Sequence, residues 1–427
     1  MSVDVLAVAK DGLGVGRGPA GEDVRLAGVL PEEQGIASVV HVRRDGLHFA
    51  RLERVQRSSP HRRPSPCRHF LTCGGCDFLH AAYDWQLDWK RRRVAQALQR
   101  PPEQVAATVP SPRPTGYRGW VKLVRGPGAL LGSYAPRSHR VVDMSGCVVH
   151  AEGAEAIAAA VRRFLRQQAV AFRYLLLRWS FAKSSAVVTV VVGTQDRSSV
   201  GPLVSFLAER DDVAQIRQHI NDDPGDALLT ENADEIVYDH GGPIYERIAS
   251  IDQNLAGGAF AQVNPNAAAA LYQRVADGIA AAGADVLDLY AGSGGIALTL
   301  LHAGAARVVA VESHPAAVEA ARGSARASGW SARFTAIAST VEKAWTDDLL
   351  PRSFFERIVV NPPRKGLSAA VRARLAQTAW RRLVYVSCNP DTLARDLPEL
   401  GGAVKSVVPV DLFPQTRHVE TVVTLVR

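Results

Sequence analysis

Short apolar runs separated by Gly-rich turns fill the first 57 residues. VDVLAV is followed by the turn DGLGVGRGPAG, and VRLAGVL is followed by IASVVHVRRDGLHFARLERV. Several short strands joined by such turns are typical of a small β-barrel, a scaffold that often binds nucleic acid. The pattern therefore predicts an OB-like β-barrel domain over residues 1–57, with a purely structural β-domain as the alternative.

A different pattern runs from residue 251 to residue 427. Ala-rich helical stretches alternate there with the apolar runs DVLDLY, RVVAVE, RIVVNPP, RRLVYVSC and HVETVVTLVR. This alternation predicts the α/β class, with a doubly wound, Rossmann-like parallel sheet covered by helices. Because ligands of such sheets bind at the carboxyl ends of the strands, we expect the functional residues to follow these runs directly.

The region between these two parts, residues 58–250, has a mixed pattern. SSPHRRPSP predicts a linker, and AAYDWQLDWKRRRVAQALQ predicts an amphipathic helix over about 81–100 that ends before Pro101 and Pro102. Further on, YLLLRWS and SAVVTVVVGT have the composition of strands. We therefore expect a mixed α+β central domain over 58–250, whose helix 81–100 could pack on the domain formed by 251–427.

The charge of the chain favours an anionic partner. Lys and Arg total 50 against 42 for Asp and Glu, which gives a net charge of +8. The clustered basic residues are Arg51, Arg54, Arg57, Arg62, Arg63, Arg68, Lys90, Arg91, Arg92 and Arg93. Such clusters suit the phosphate backbone of a nucleic acid, although a solvated basic surface is the simpler alternative.

The sequence also bears on where the protein acts. The N-terminus lacks the pattern of a secretory signal, and no apolar stretch is long enough to cross a bilayer. We therefore expect a cytoplasmic protein without a membrane partner, with a monomer as the default.

Three glycines occupy the first strand-to-helix turn of the last domain. Gly292, Gly294 and Gly295 follow DVLDLY, where the lack of side chains lets a ligand approach the backbone. The next strand ends in Glu312, whose carboxylate can accept hydrogen bonds from two ribose hydroxyls. Together with Ala297, two of these glycines also fit the G-x-G-x-x-A pattern, so a nicotinamide-dependent oxidoreductase is a rival interpretation.

A polar turn after the strand RIVV helps to distinguish a methyltransferase from a nicotinamide-dependent oxidoreductase. Asn361-Pro362-Pro363-Arg364 could form the edge of a pocket that holds a flat ring by polar contacts. A plain proline turn is an equally common use of such residues. Combined with Gly292 and Glu312, the turn indicates a methyltransferase that acts on a nucleotide or a base.

Two residues could supply the chemistry of a base methylation. Cys388 ends the strand VYVS, and a thiolate that adds to carbon 6 of uracil would make carbon 5 nucleophilic. Glu420, before the final strand, could then remove the proton from carbon 5. Taken singly, Cys388 would more often be a buried structural cysteine, and Glu420 an ordinary surface residue at the end of a strand.

Taken together, these stretches resemble the RNA 5-methyluridine methyltransferase family. The matching stretches are FAQVNPNAAAALY, DLYAGSGG, VVAVE, NPPRKGL, VYVSCNP and FPQTRHVETVV, with CRHFLTCGGC and LGSYAPRSHRVVDMSGC upstream. The N-terminal barrel looks like the TRAM module of the family. The resemblance covers nearly the whole chain and is weakest over residues 151–250.

The resemblance implies a class I enzyme that uses S-adenosylmethionine. It makes Cys388 the nucleophile and Glu420 the proton acceptor. The family's cofactor-binding positions are occupied by Gln262, Tyr290, Gly292, Gly295, Glu312 and Asn361. Two of them depart from the family, which usually has Asp at position 361 and often Asn at position 295. The expected cost of these departures is weaker cofactor binding.

Four further cysteines form a possible metal-binding set. Cys67, Cys73 and Cys76 follow a C-x5-C-x2-C spacing, and Cys147 comes 71 positions later. Four thiolates can hold either zinc or a [4Fe–4S] cluster, and the spacing alone leaves both open. Because iron–sulfur members of the resembled family share this arrangement, we expect a structural [4Fe–4S] cluster, with zinc as the alternative.

The substrate implied is a uridine in RNA that is flipped out or lies in a loop, with ribosomal RNA favoured over transfer RNA. One rival is a methyltransferase of exocyclic nitrogens, but Arg364 stands where such enzymes carry an aromatic residue and they need no cysteine nucleophile. The other rival is a nonenzymatic RNA-binding protein with a degenerate methyltransferase fold, which would not need Cys388 and Glu420.

Overall fold

The computed structural model of the protein describes residues 1–136, 138–223, 234–241, 244–255, 262–350 and 355–427. The helices are α1 (Tyr83–Ala97), α2 (Glu152–Gln167), α3 (Gly201–Ala208), α4 (Pro265–Ile279), α5 (Gly295–His302), α6 (Pro315–Ala327), α7 (Val341–Thr346), α8 (Ala369–Gln377) and α9 (Pro390–Leu400). Across the described ranges, none of the helices combines the length and apolar character that crossing a membrane requires.

In the part of the chain that the structure describes, the strands form three sheets and one separate hairpin. In chain order they are β1 (Ser2–Val8), β2 (Gly14–Arg17), β3 (Asp23–Leu26), β4 (Gln34–Val42), β5 (His48–Arg57), β6 (Trp120–Arg125), β7 (Leu131–Tyr134), β8 (Val141–Asp143), β9 (Tyr174–Ser180), β10 (Ser185–Val192), β11 (Val213–Ile220), β12 (Asp234–Asp239), β13 (Tyr245–Ile248), β14 (Ile251–Asn254), β15 (Asp285–Leu289), β16 (Arg307–Glu312), β17 (Phe334–Ala338), β18 (Arg357–Val360), β19 (Arg382–Ser387), β20 (Ala403–Val410) and β21 (Glu420–Val426).

The first five strands close into a barrel in the order β1-β2-β3-β5-β4. Apolar residues alternate along these strands, so that Val3, Val5, Val24 and Leu26 meet in a small core inside the barrel. The N-terminal barrel predicted from the sequence is confirmed.

The central sheet has the order β12-β11-β10-β9-β6-β7-β8. Helices α2 and α3 share its core, which includes Val121, Leu175 and Val188. The hairpin β13–β14 stands apart from this sheet and packs against α4 and α6. A domain boundary after residue 250 would divide this hairpin, because the boundary falls between its two paired strands.

The third sheet has the order β17-β16-β15-β18-β19-β21-β20. Strands β17, β16, β15, β18 and β19 are parallel, and β21 pairs antiparallel with both β19 and β20. Helices α4, α5 and α6 share the core on one face, and α7, α8 and α9 share the core on the other. The doubly wound, Rossmann-like fold is therefore confirmed. The strand order reverses between β15 and β18, which places a crevice at their carboxyl ends.

Helix α1 connects the central part of the chain to the third sheet. It lies against α9 and β20, and Val94 and Ala95 enter the core of that domain. Its Lys90 is fully buried, and the Nζ atom donates to Asp411 Oδ1 at 2.5 Å and to the Phe413 carbonyl at 3.0 Å.

The burial of Lys90 corrects the expectation that the whole basic cluster contacts phosphates. A buried ammonium group needs a charged partner in the protein, and here Asp411 supplies it. Arg62 likewise binds Glu33 of the barrel. These two cations hold domains together, whereas Arg54 and Arg63 of the same cluster are exposed.

Candidate active site

A cavity of about 1070 Å³ lies at the carboxyl ends of the strands of the third sheet. It is lined by every residue that the sequence assigned to cofactor binding or catalysis, namely Gln262, Tyr290, Gly292, Gly295, Glu312, Asn361, Cys388 and Glu420. The structure therefore brings these positions, spread over nearly 160 residues of sequence (from 262 to 420), into one site.

The turn between β15 and α5 forms one wall of this cavity. Gly292 has a φ of +56° and Gly294 a φ of +83°, values that favour glycine. A Cβ at position 294 would also lie 2.9 Å from Ala321 Cβ. Backbone conformation and close packing therefore both require glycine at this position.

Glu312 stands beside the glycine turn at the end of β16. Its Oε2 accepts a hydrogen bond from the Gly292 N–H at 3.0 Å, and its Oε1 accepts from the His314 N–H at 2.8 Å. The backbone thus fixes the orientation of the carboxylate. This places an acceptor for hydroxyl groups next to the turn, as the sequence predicted.

Gly295 leaves a space that another side chain fills. A Cβ at this position would lie 2.5 Å from Tyr272 Oη and 2.8 Å from two ring carbons of Tyr272. Tyr272 reaches there from α4, is 6% exposed and lines the same cavity. The lack of a side chain at 295 is therefore matched by a bulky neighbour, which sequence analysis did not identify.

Cys388 lies in the turn that joins β19 to α9. The next residue, Asn389, caps α9 by accepting from the Asp391 N–H at 3.1 Å. The Asn389 side chain also donates to the Arg364 carbonyl at 3.1 Å. These bonds tie the turn that carries the thiol to the Asn361-Pro362-Pro363-Arg364 loop.

Glu420 is the first residue of β21 and lies beside Cys388. Burial raises the pKa of Glu420 to about 7, and the Arg364 guanidinium opposes this rise. Burial, and then the charge of Glu420, raise the pKa of Cys388 to about 11, again opposed by Arg364. The site therefore holds a thiol whose pKa responds to the charge of a neighbouring carboxyl group, with one cation acting on both.

Two further cavity residues were not assigned a role from the sequence. His418 is surrounded by cations, and its pKa falls to about 4 because of burial and the charges of Arg364 and Arg417. Its imidazole is therefore neutral at pH 7. Arg118 reaches the same cavity from the central part of the chain. His418 lies within the stretch FPQTRHVETVV, two positions before Glu420. This closeness to Glu420 could have identified His418 as a site residue from the sequence.

The four other cysteines lie in two segments that contact each other. The Arg68 side chain donates to Ser145 Oγ at 2.5 Å. Arg68 directly follows Cys67 in one segment, and Ser145 lies two positions before Cys147 in the other. Burial raises the pKa of the Cys76 thiol, and the thiols of Cys147, Cys73 and Cys67 raise it further. All four are free thiols.

The four thiols lie close enough for the charges of Cys147, Cys73 and Cys67 to act on Cys76. Over the described ranges, no three His, Cys, Asp or Glu side chains are placed to hold a single metal ion. The cluster expected from the sequence therefore stays a prediction.

Comparisons with known proteins show which family the chain is similar to. A family model described as tRNA (uracil-5-)-methyltransferase matches residues 244–427. An uncharacterized RNA methyltransferase from Gloeobacter violaceus is 34% identical over 100% of this chain and 96% of its own length. An uncharacterized RNA methyltransferase from Geobacter sulfurreducens is 32% identical over 99% of this chain and 89% of its own length.

A solved structure is similar along the whole chain. It is the tRNA (uracil-54, C5)-methyltransferase of Pyrococcus abyssi in complex with S-adenosyl-L-homocysteine, with a TM-score of 0.80 and full coverage of both chains. The sequence identity is 24%, so this likeness shows a shared fold.

Proposed function

The chain belongs to the RNA 5-methyluridine methyltransferase family, and from this membership we propose that it methylates carbon 5 of a uridine in ribosomal RNA. The observation that supports this most directly is the placement of Cys388 and Glu420 side by side in the cavity that the glycine turn also lines. A methyltransferase that attacks an exocyclic nitrogen has no use for this pair.

The residues of the cavity fit S-adenosylmethionine as the methyl donor. Glu312 is held by Gly292 where it would accept the ribose hydroxyls, and the open turn would let the rest of the cofactor approach the backbone. The side chains of Gln262, Tyr290 and Asn361 complete the wall. When bound, the cofactor supplies a methyl group on a positively charged sulfur atom.

Cys388 begins the reaction by covalent attack on the base. The thiolate forms a bond to carbon 6 of uracil, and the electrons of the carbon 5–carbon 6 double bond move onto the ring as an enolate. Carbon 5 then takes the methyl group while the donor sulfur keeps the bonding pair. Arg364 favours the thiolate, because its cation lowers the pKa of Cys388 against the effect of burial.

Glu420 completes the reaction. Its carboxylate takes the proton from carbon 5, the carbon 5–carbon 6 double bond forms again, and the bond from Cys388 to carbon 6 breaks. With a pKa of about 7, Glu420 can both accept this proton and release it near neutral pH. A base buried in a duplex could not reach this site, so the uridine must be flipped out or lie in a loop.

For the four remaining cysteines we propose a structural [4Fe–4S] cluster, because their spacing resembles that of the iron–sulfur members of the family. Cys67, Cys73, Cys76 and Cys147 would be its ligands, a set of four thiolates typical of such clusters. No step of the methyl transfer needs an electron. Anaerobic purification should give about four iron and four sulfide per chain; a single zinc ion, or no metal, would overturn this part.

One assay tests the function. The protein is incubated without oxygen with methyl-labelled S-adenosylmethionine and either ribosomal or transfer RNA, and the modified nucleosides are separated. We expect 5-methyluridine to form in ribosomal RNA, and we expect the Cys388→Ala variant to be inactive. In the cell, this reaction would take place in the cytoplasm. A label on an exocyclic nitrogen would favour the rival methyltransferase, and no product on either RNA would favour a nonenzymatic RNA-binding protein.

A further inference from the structure

The loop that leads into Glu420 is held by residues far away in the sequence. This loop, residues 411–419, follows β20 and ends at the first residue of β21. Tyr117 Oη donates to the Pro414 carbonyl at 3.0 Å. The Gln415 N–H donates to Gln86 Oε1 at 3.0 Å, and Gln86 Nε2 donates to Gln415 Oε1 at 3.0 Å. The loop is therefore shaped mainly by the N-terminal half of the chain.

Of these contacts from the N-terminal half, those of Asp77 reach the position closest to Glu420 in the sequence, Arg417. Its Oδ2 accepts from the backbone N–H of Arg417 at 2.9 Å, and its Oδ1 accepts from Arg417 Nη1 at 2.7 Å. The Asp77 N–H donates to the Gln415 carbonyl at 2.9 Å. One carboxylate therefore fixes both the backbone and the side chain of Arg417.

The surroundings of Asp77 strengthen these bonds. Its side chain is 18% exposed, and the barrel turn at Gly12 packs so closely on it that a Cβ there would lie 3.0 Å from Asp77 Oδ1. Hydrogen bonds to a charged group that is shielded from water are worth more than exposed ones. Asp77 directly follows Cys76 and thus ends the segment that carries the first three of the four clustered cysteines.

From these contacts we infer that Asp77 is a positioning residue for proton removal, because it fixes Arg417 and through it the approach of Glu420 to the substrate. This inference rests on the proposed function, since it assigns a partner to the residue that completes the reaction. Asp77 touches no reacting atom. Its effect is to hold Arg417, three positions before Glu420, in one orientation.

The test compares Asp77→Asn, Arg417→Gln and the double variant with the wild type. The amide of Asn offers one acceptor oxygen, and its NH2 group would face a donor of Arg417. At least one of the two hydrogen bonds that hold Arg417 is therefore lost. We expect kcat to fall on the order of ten- to hundredfold, with KM for S-adenosylmethionine unchanged. Because proton removal is the affected step, the covalent protein–RNA adduct should accumulate, and the double variant should be no worse than either single variant.

Glu319→Gln is the matched control, because it removes a carboxylate that pairs with Arg326 at 2.8 Å on the exposed face of α6. It should leave kcat and the adduct level unchanged. A wild type that makes no 5-methyluridine overturns the proposed function and this inference with it. An active wild type with normal turnover in folded Asp77→Asn overturns the inference alone.

Thermal melting separates positioning from folding. If Asp77→Asn does not fold, Arg417→Gln gives the same readout, since it leaves the cysteine segment intact. Normal turnover and no adduct in folded Arg417→Gln would overturn the inference. So would a fall in kcat without adduct, or additive losses in the double variant, because a general structural role would produce those results.

Discussion

Ser387 and Thr421 lie opposite each other across the antiparallel strands β19 and β21. The residue after Ser387 is Cys388, and the residue before Thr421 is Glu420, so both emerge at the same edge of the sheet. The register of two buried strands therefore sets the relative position of thiol and carboxyl. A slip of one residue would turn Glu420 to the other face of the sheet.

The first prediction concerns the order of the two steps that this pair performs. Glu420→Gln should trap the protein on RNA, because Cys388 can still add to carbon 6 and the methyl group can still be transferred, but no group removes the proton. The adduct should appear as a slowly migrating band on a denaturing gel. Glu420→Gln combined with Cys388→Ala is the control and should show no such band. Full turnover of Glu420→Gln would remove Glu420 from the mechanism.

The second prediction uses the pKa of Glu420. Because burial raises this pKa to about 7, the carboxyl group is increasingly protonated below pH 7 and cannot accept the proton from carbon 5. The breakdown of a preformed adduct should therefore slow about tenfold for each pH unit below 7 and level off above it. A pH-jump experiment on the adduct measures this rate. The residual breakdown in Glu420→Gln should not change with pH around 7; an equal pH dependence would assign the titration to another group.

The sequence predicted the parts of the site that depend on local order along the chain. Glu312 ends one apolar strand and Cys388 directly follows another, and strand ends in a doubly wound sheet meet at one edge. It could not predict that Lys90 is buried, because its partner Asp411 lies 321 positions away. A run of basic residues is ordinarily solvated, and only tertiary packing reveals which of them is paired inside.

The same limit applies to Gly295. Its sequence position predicted a lost contact with the cofactor, since the resembled family often has Asn there. The structure shows that Tyr272, on a different helix, occupies the space into which such a side chain would project. The two positions are separated by 23 residues, 272 to 295, and no local pattern links them.

The third prediction follows from this packing. Gly295→Asn should weaken the binding of S-adenosylhomocysteine roughly tenfold, because its Cβ would collide with the buried Tyr272 ring. Adding Tyr272→Leu should recover part of the loss by removing the ring atoms that collide, whereas Tyr272→Phe keeps the ring and should recover less. Isothermal titration calorimetry measures each affinity. Wild-type affinity in Gly295→Asn would show that Tyr272 moves aside freely.

The last prediction separates basic residues that bind RNA from those that hold the fold. Lys90→Ala leaves Asp411 buried without its cation, which should lower the free energy of unfolding by about 3–5 kcal/mol. Arg54→Gln changes an exposed side chain and should leave stability within about 0.5 kcal/mol of the wild type.

The salt dependence of RNA binding should change in Arg54→Gln and not in Lys90→Ala, the reverse of their effects on stability. If Arg54 contacts a phosphate, Arg54→Gln should reduce the slope of the logarithm of RNA affinity against the logarithm of salt concentration by about 1. Lys90→Ala, measured at a temperature where it stays folded, should keep the wild-type slope because Lys90 is bound to Asp411 and out of reach of RNA. Denaturant unfolding and filter binding at several salt concentrations give the two quantities. A reduced slope in Lys90→Ala would mean that the ion pair opens when RNA binds, and an unchanged slope in Arg54→Gln would remove Arg54 from the RNA-binding surface.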